Sequence, residues 1–300
     1  MSPRKVYADQ IDIDTPLVRE LLATQFPQWA ALPLEPVDSG GLVNAIYRLG
    51  SDLSVRLALR PSNTDMVQRE QEKLAALAPY LPVAIPSVEA IGSPTDAFPG
   101  EWSVHRWLTG THPSPDALVD PHGLAVDLAA FVDAFRRIDL PDRLPAYLGE
   151  RRTRAPMPSL DSPTQTAIAD LDGLIDTHAA LASWEESLAA PYDGREVWVH
   201  SDLTPNNLLV SPEGRLTAVL DFETSGVGDP ACDLFPAWYL LPAPARDAFR
   251  AALDVDDATW LRGRGRVLSQ ALIVWSHQKD TNPHLTHHAR RAVSKVLATQ

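Results

Sequence analysis

Four residues in one short stretch have the types and spacing for a single piece of chemistry. Within HSDLTPNNLLVSPEGRLTAVLDFE, residues 200–223, His200, Asp202 and Asn207 stand in an H-x-D-x-x-x-x-N arrangement. Asp221-Phe222 follows after the length of one β-hairpin. An aspartate just past a strand can accept the proton of an attacking hydroxyl. An asparagine five residues on and a carboxylate ending the next strand are hard oxygen donors, suited to magnesium bridging phosphates. Together these types describe phosphoryl transfer. Singly each has a plainer reading, since Asp and Asn cap turns and a buried histidine can simply be satisfied. The joint strand, loop and hairpin context favours the chemical one.

Periodicity gives the elements that must position them. Residues 15–29 carry Leu17, Val18, Leu21, Leu22 and Phe26 at helical spacing behind a Thr-Pro start, which predicts a first amphipathic helix. The period then shortens. Runs at 34–37, 45–49 and 53–59, punctuated by Gly40-Gly41 and Gly50-Ser51-Asp52, predict an antiparallel meander. A helix over 65–78 closes at Pro79 and Pro82, and strands resume at 87–91 and 102–108 around GSPTDAFPG. Beyond Leu108 the pattern is mostly helical, at 123–138, 164–189, 243–253, 258–278 and 284–298. One β-rich island at 197–200, 207–210 and 216–220 interrupts it and carries the four residues. RRTRAPMPSLDS, 151–162, reads as an irregular loop. The outline is a small β-rich lobe, residues 1–106, and a larger helical lobe, residues 107–300.

Composition excludes several classes. With 45% hydrophobic and 22% charged residues over 300, the chain is globular rather than disordered. The greasiest short run, 271–275, is far too brief for a membrane span, and the first ten residues lead into no apolar run, so no secretory signal is expected. One cysteine, Cys232, allows no internal disulfide and fits a reducing cytoplasm. A net charge of −13 opposes nucleic acid and anionic membranes and favours a cationic partner, although surplus carboxylates also serve solubility.

On these motifs the chain resembles the aminoglycoside and macrolide phosphotransferases, which share the protein-kinase-like fold. Their loop has the form H-G-D-x-x-x-x-N, followed by D-F or D-W and then G-D-P-x-x-D-L. This sequence reads HSDLTPNN, DFE and GDPACDL, departing at Ser201 and Asn206, where glycine is commoner. The likeness extends from about Val37 to the C-terminal helix. It implies an α+β, two-lobe fold, with Asp202 as catalytic base, Asn207 and Asp221 as magnesium ligands, and His200 and Asp233 supporting the loop. Asp233 is expected to start a helix and to brace the loop through hydrogen bonds, in keeping with an acid in a first helical turn.

The resemblance also places nucleotide binding in the small lobe. DSGGLVNAIYRL looks like the family's first hairpin, with Gly40 and Gly41 letting backbone approach phosphates. A kinase-like third strand carries a phosphate-clamping lysine paired with a glutamate on the next helix. Only Lys5, Lys73, Lys279 and Lys295 exist here, and none stands on that strand. SVRLALR offers Arg56 in its place, and the helix offers Glu70, with Glu72 as rival and Lys73 as an intrahelical neighbour. Arginine bridges phosphate and carboxylate bidentately, so the clamp can survive. In WSVHRWL, backbone at Arg106, Trp107 and Leu108 is where a purine ring would hydrogen-bond.

The implied activity is magnesium-dependent transfer of the γ-phosphate of ATP or GTP to a small-molecule hydroxyl. No activation segment or A-P-E element separates Asp221 from GDPACDL, which disfavours protein substrates. An aminoglycoside leads as acceptor because a polycation suits the charge, which would make the enzyme one of antibiotic resistance. A macrolide and a hydroxylated metabolite follow. Residues 1–106 carry −4 and the remainder −9, with Asp254, Asp256, Asp257 and Asp280 as candidate acceptor carboxylates. The rival class is a nucleotide-binding module without transfer, suggested by the missing lysine.

Overall fold

A computed structural model describes residues 10–37, 43–60, 66–138 and 155–298. The chain has the α+β architecture of a kinase-like fold, a five-stranded antiparallel sheet and a mainly helical remainder. It divides into two compact units, Met1–Pro79 with Ala84–Thr109, and Tyr80–Val83 with Gly110–Gln300.

In the first unit, α1 (Thr15–Gln25) is capped by Asp14, whose carboxylate accepts the Leu17 N–H at 2.9 Å. It stops short of the expected residue 29. Pro27 has no N–H to continue the ladder, and a 3₁₀ turn, Pro27–Trp29, replaces the last helical turn. The sheet runs β1-β2-β3-β5-β4, built from β1 (Leu34–Val37), β2 (Asn44–Leu49), β3 (Leu53–Ala58), β4 (Val88–Gly92) and β5 (Trp102–Arg106). Alternation in β2 puts Ala45, Tyr47 and Leu49 into the core with Val55, Leu57, Trp102 and Val104. Val18 and Leu22 of α1 belong to the same cluster. Each fully buried valine or leucine among them contributes about 1.5–3 kcal/mol. Gly92 pairs with Trp102 across the ladder, and a Cβ on it would stand 2.0 Å from the indole Cε2, so glycine is required there. Helix α2 (Met66–Leu77) buries Leu74 and Leu77.

The second unit opens with α3 (Pro121–Arg136), capped by Asp120. The single helix expected at 164–189 is two, α4 (Asp161–Asp170) and α5 (Thr177–Ala189). Asp172-Gly173 turns the chain with Gly173 at φ +76, and Asp176 caps the second helix through the Ala179 N–H at 3.0 Å. The β-rich island forms two small ladders. β6 (Val197–Val199) pairs with β9 (Gly226–Gly228), and β7 (Leu208–Val210) pairs with β8 (Leu216–Val219). β9 was not expected, because three residues with two glycines carry no period. Helices α6 (Pro236–Tyr239), α7 (Ala243–Leu253), α8 (Asp257–Gln278) and α9 (Pro283–Leu297) complete the unit. No described helix is long and apolar enough to cross a membrane.

Candidate active site

The loop between β6 and β7 is held from three sides. The buried Asp233 carboxylate accepts the His200 N–H at 3.0 Å through Oδ2 and the Ser201 N–H at 2.7 Å through Oδ1. His200 Nε2 lies 2.9 Å from the Leu220 carbonyl, which can only accept, so Nε2 carries the proton and Nδ1 accepts the Asp202 N–H at 3.3 Å. Phe222 packs edge-on against the imidazole, ring centroids 4.7 Å apart. A third clamp is reciprocal: Ser201 Oγ donates to Thr224 O at 3.0 Å, and Thr224 Oγ1 donates to His200 O at 3.1 Å. Thr224 carried no signal in the sequence pattern.

These anchors force an uncommon backbone. Ser201 stands at φ 65, the left-handed region glycine enters freely and other residues enter at roughly 1–2 kcal/mol. Ser201 thus takes a conformation that glycine, commoner at this position in the family, enters freely, and its hydroxyl adds one hydrogen bond, to Thr224 O. Asp221, at φ 57, is a second left-handed position and accepts the Glu223 N–H at 3.2 Å. Among the described non-glycine residues only Asp254 joins them at positive φ. Strain of this kind gathers where surrounding structure holds a site in place.

Asp202 and Asn207 come together. Asn207 Nδ2 donates to the Asp202 carbonyl at 2.9 Å and to its Oδ2 at 2.8 Å. Both acceptors take the amide NH₂, which leaves the Asn207 Oδ1 lone pairs for another partner. The Leu220 N–H donates to Asn207 O at 2.8 Å, tying this residue to the one before Asp221. Asp221 is exposed. Among the described residues no three His, Cys, Asp or Glu side chains gather around a metal position. The available donors are one amide oxygen and one carboxylate, hard oxygens that suit magnesium. That ion commonly takes one or two protein ligands and completes its shell with water and phosphate.

Asp233 does not start an α-helix as expected. It closes the one-turn 3₁₀ helix Pro230–Asp233, and α6 begins at Pro236. Proline at 236 lacks the N–H that would continue a helix through this point. Asp229 caps the turn by accepting the Ala231 N–H at 2.9 Å. It also receives a buried bidentate contact from Arg262 that the sequence pattern did not reveal.

In the first unit, Arg56 Nη1 lies 3.7 Å from Glu70 Oε1, both side chains partly buried, while Glu72 is exposed. Lys73 is buried. Arg106 and Trp107 have their backbone N–H groups engaged, by Ser87 O at 3.0 Å and Asp52 O at 2.7 Å. The Arg48 guanidinium lies 4.0 Å over the Trp107 ring. The Leu108 N–H and the backbone carbonyls therefore remain the groups a purine could use. Gly40 and Gly41 lie outside the described residues.

A family model described as the phosphotransferase enzyme family matches residues 34–268. The chain belongs to this family. None of the curated proteins compared by sequence matches it. Among solved structures, this family member superposes on the GDP complex of wild-type aminoglycoside 2′-phosphotransferase-IIIa with a TM-score of 0.74. Identity is 16%, over 96% of this chain and 99% of that one. The apoenzyme of the macrolide 2′-phosphotransferase MphH from Brachybacterium faecium gives 0.64 at 22% identity, covering 94% and 97%. The streptomycin–ATP–APH(2″)-IIa ternary complex gives 0.63 at 16%, covering 96% and 97%. At these identities the likeness fixes the fold.

Proposed function

We propose that the protein transfers the γ-phosphate of ATP or GTP to a hydroxyl of a small, aminoglycoside-like acceptor. The observation that carries this is the hold of Asn207 on Asp202, which orients a carboxylate on a strained loop in a phosphotransferase-family chain. Asp202 takes the hydroxyl proton as the acceptor oxygen bonds to the γ-phosphorus. The bond from that phosphorus to the β,γ-bridging oxygen breaks, and the nucleoside diphosphate leaves. Asn207 Oδ1 and the Asp221 carboxylate would hold magnesium, which supplies charge neutralisation on the phosphates when bound. Arg56, steadied by Glu70, positions phosphates, and backbone near Leu108 receives the purine. Gly40 and Gly41 would lie along the phosphates.

The neighbours carry GDP in one complex and ATP in another, so both donors belong in the assay. The polycationic acceptor rests on the net charge of −13. Two of the four candidate carboxylates already have partners: Asp256 caps α8, and Asp257 pairs with Arg250. Purified protein should consume nucleotide in a magnesium-dependent way when offered one of a panel of aminoglycosides, macrolides and hydroxylated metabolites. Binding of magnesium–nucleotide with no turnover across the panel would favour the non-transferring module, whose supporting observation is arginine in place of lysine on β3. For an aminoglycoside acceptor the apparent affinity should fall as salt rises from about 50 to 500 mM, since the screening length shortens from roughly 14 to 4 Å.

A further inference from the structure

Arg262 lies on the second turn of α8, far along the chain from the catalytic loop, with 5% of its side chain exposed. Its donors are spread over three segments. Nε donates to Asp229 Oδ2 at 3.0 Å and Nη2 to Asp229 Oδ1 at 3.2 Å, while Nη2 also reaches Thr259 Oγ1 at 3.1 Å. Nη1 donates to the Pro191 carbonyl, on the segment that runs into β6 and so into His200. The Tyr192 ring lies 4.9 Å from the guanidinium, and Arg266, one turn on, approaches Asp229 at 3.6 Å.

A buried ion pair of this kind is weak evidence for stability, because well-packed apolar replacements are often neutral or better. Its geometry has a more specific consequence. Asp229 caps the turn that ends in Asp233, and Asp233 holds the His200 and Ser201 N–H groups that set the direction of Asp202. From the other side, Pro191 leads the strand into the same loop. Both segments that aim the carboxylate therefore converge on one planar fork.

We propose that Arg262 is a positioning residue for Asp202, acting through Asp229 and Asp233 on the backbone at Ser201. This rests on the reading of Asp202 as the base. Arg262→Lys keeps the charge and loses the fork, so it separates geometry from electrostatics. With ATP, magnesium and whichever acceptor the wild type uses, kcat should fall at least about tenfold, toward the roughly 100-fold that a small misplacement costs, while the ATP KM stays near the wild-type value. Amide hydrogen exchange should rise in residues 198–203 and stay unchanged in α9 and the five-stranded sheet. Adding Ser201→Gly should restore part of kcat, because glycine takes the left-handed conformation without needing to be held there.

Wild-type kcat in Arg262→Lys, or an exchange increase spread evenly over the chain, would overturn the proposal. If the wild type turns over no acceptor, the phosphotransfer reading fails by itself, and the exchange pattern still decides whether Arg262 holds the loop. Should Arg262→Lys not fold, Thr259→Val removes one partner of the fork. It should raise exchange locally at 198–203, and no local rise there would refute the idea.

Discussion

Asn207 holds Asp202 twice through one amide nitrogen, at the main-chain carbonyl and at the carboxylate. An aspartate at 207 would supply oxygen where two donors are needed, so the two functions of this side chain can be separated. Asp202→Asn should lower the transfer rate by about 100 to 10,000-fold with nucleotide affinity near wild type, as loss of a general base does. Asn207→Asp should keep magnesium–nucleotide binding and lose turnover, whereas Asn207→Ala should weaken both. Steady-state rates with calorimetric titration distinguish these, and full turnover in purified Asp202→Asn would remove the base assignment.

Ser201 sets backbone strain against a side-chain hydrogen bond. Ser201→Ala keeps φ 65 and loses the bond to Thr224 O, which should cost about 0.5–1.5 kcal/mol. Ser201→Gly loses the same bond and relieves roughly 1–2 kcal/mol of left-handed strain, less about 0.5–1 kcal/mol for a more flexible unfolded chain. The glycine variant should therefore be more stable than the alanine variant, and within about 1 kcal/mol of wild type. Urea unfolding of the three proteins reads this order directly, and an alanine variant at least as stable as the glycine one would mean that the strain at φ 65 does not exceed the cost of the more flexible unfolded chain.

The positions of His200, Asp202, Asn207 and Asp221 were legible because they belong to one short segment whose geometry is local, so fixed spacing encodes them. The pair of Arg56 with Glu70 was legible for a related reason, a strand followed by a helix in a known order. What stayed hidden was tertiary. Asp229 and Arg262 meet across 33 residues, and no periodicity signals a buried arginine inside a helix. Thr224 is one threonine among many until its carbonyl faces Ser201. The break between α4 and α5 was written as Asp172-Gly173, a turn dipeptide that the apolar spacing on either side obscured.

Gly263 and Gly265 alternate with the buried arginines of α8, and packing explains them. A Cβ at Gly263 would fall 2.8 Å from the Leu234 Cβ, and one at Gly265 2.4 Å from the Ser187 Cβ. Alanine gains about 1 kcal/mol in helix propensity at either site. Overpacking costs about 1–3 kcal/mol and here meets Cβ atoms close to the backbone, so the clash should win. Both variants should unfold at lower urea than wild type. Gly263→Ala should also slow turnover, since Leu234 follows Asp233. Stabilisation by either alanine would show that α8 can shift away from its neighbours.

Arg56 stands on β3, and in the proposed reading it takes the place of the lysine that a kinase-like fold carries on its third strand; its pairing with Glu70 is a single 3.7 Å contact rather than a fork. That leaves guanidinium donors for phosphate. Arg56→Ala should weaken nucleotide binding and transfer severely. Arg56→Lys should keep part of both, because the point charge survives and the bidentate geometry does not. Glu70→Gln should have a smaller effect than Arg56→Ala, as removal of a positioning partner. Equal activity in all four proteins would place the phosphate clamp elsewhere.

Lys295 on α9 donates to the Leu240 and Leu241 carbonyls at 3.1 and 3.2 Å from a half-buried position. Burial, and then the nearby Arg291 and Arg246 cations, push its pKa down to about 8, against a smaller opposing pull from Asp116. The folded-state value lies below the free value of 10.5, so the folded protein releases this proton more readily than the unfolded chain. Below about pH 8 both states carry it, and the folded state bears the whole cost of a poorly solvated ammonium. From about 8 to 10.5 the unfolded chain binds more protons, so stability from this group rises with pH across that window and levels off above it. Lys295→Met removes the titration while keeping an unbranched chain. The unfolding free energy of wild type minus that of Lys295→Met, measured in urea from pH 7 to 10, should increase through this range, since other titrating groups cancel in the difference. A flat difference would mean that the two carbonyls solvate the ammonium as well as water does.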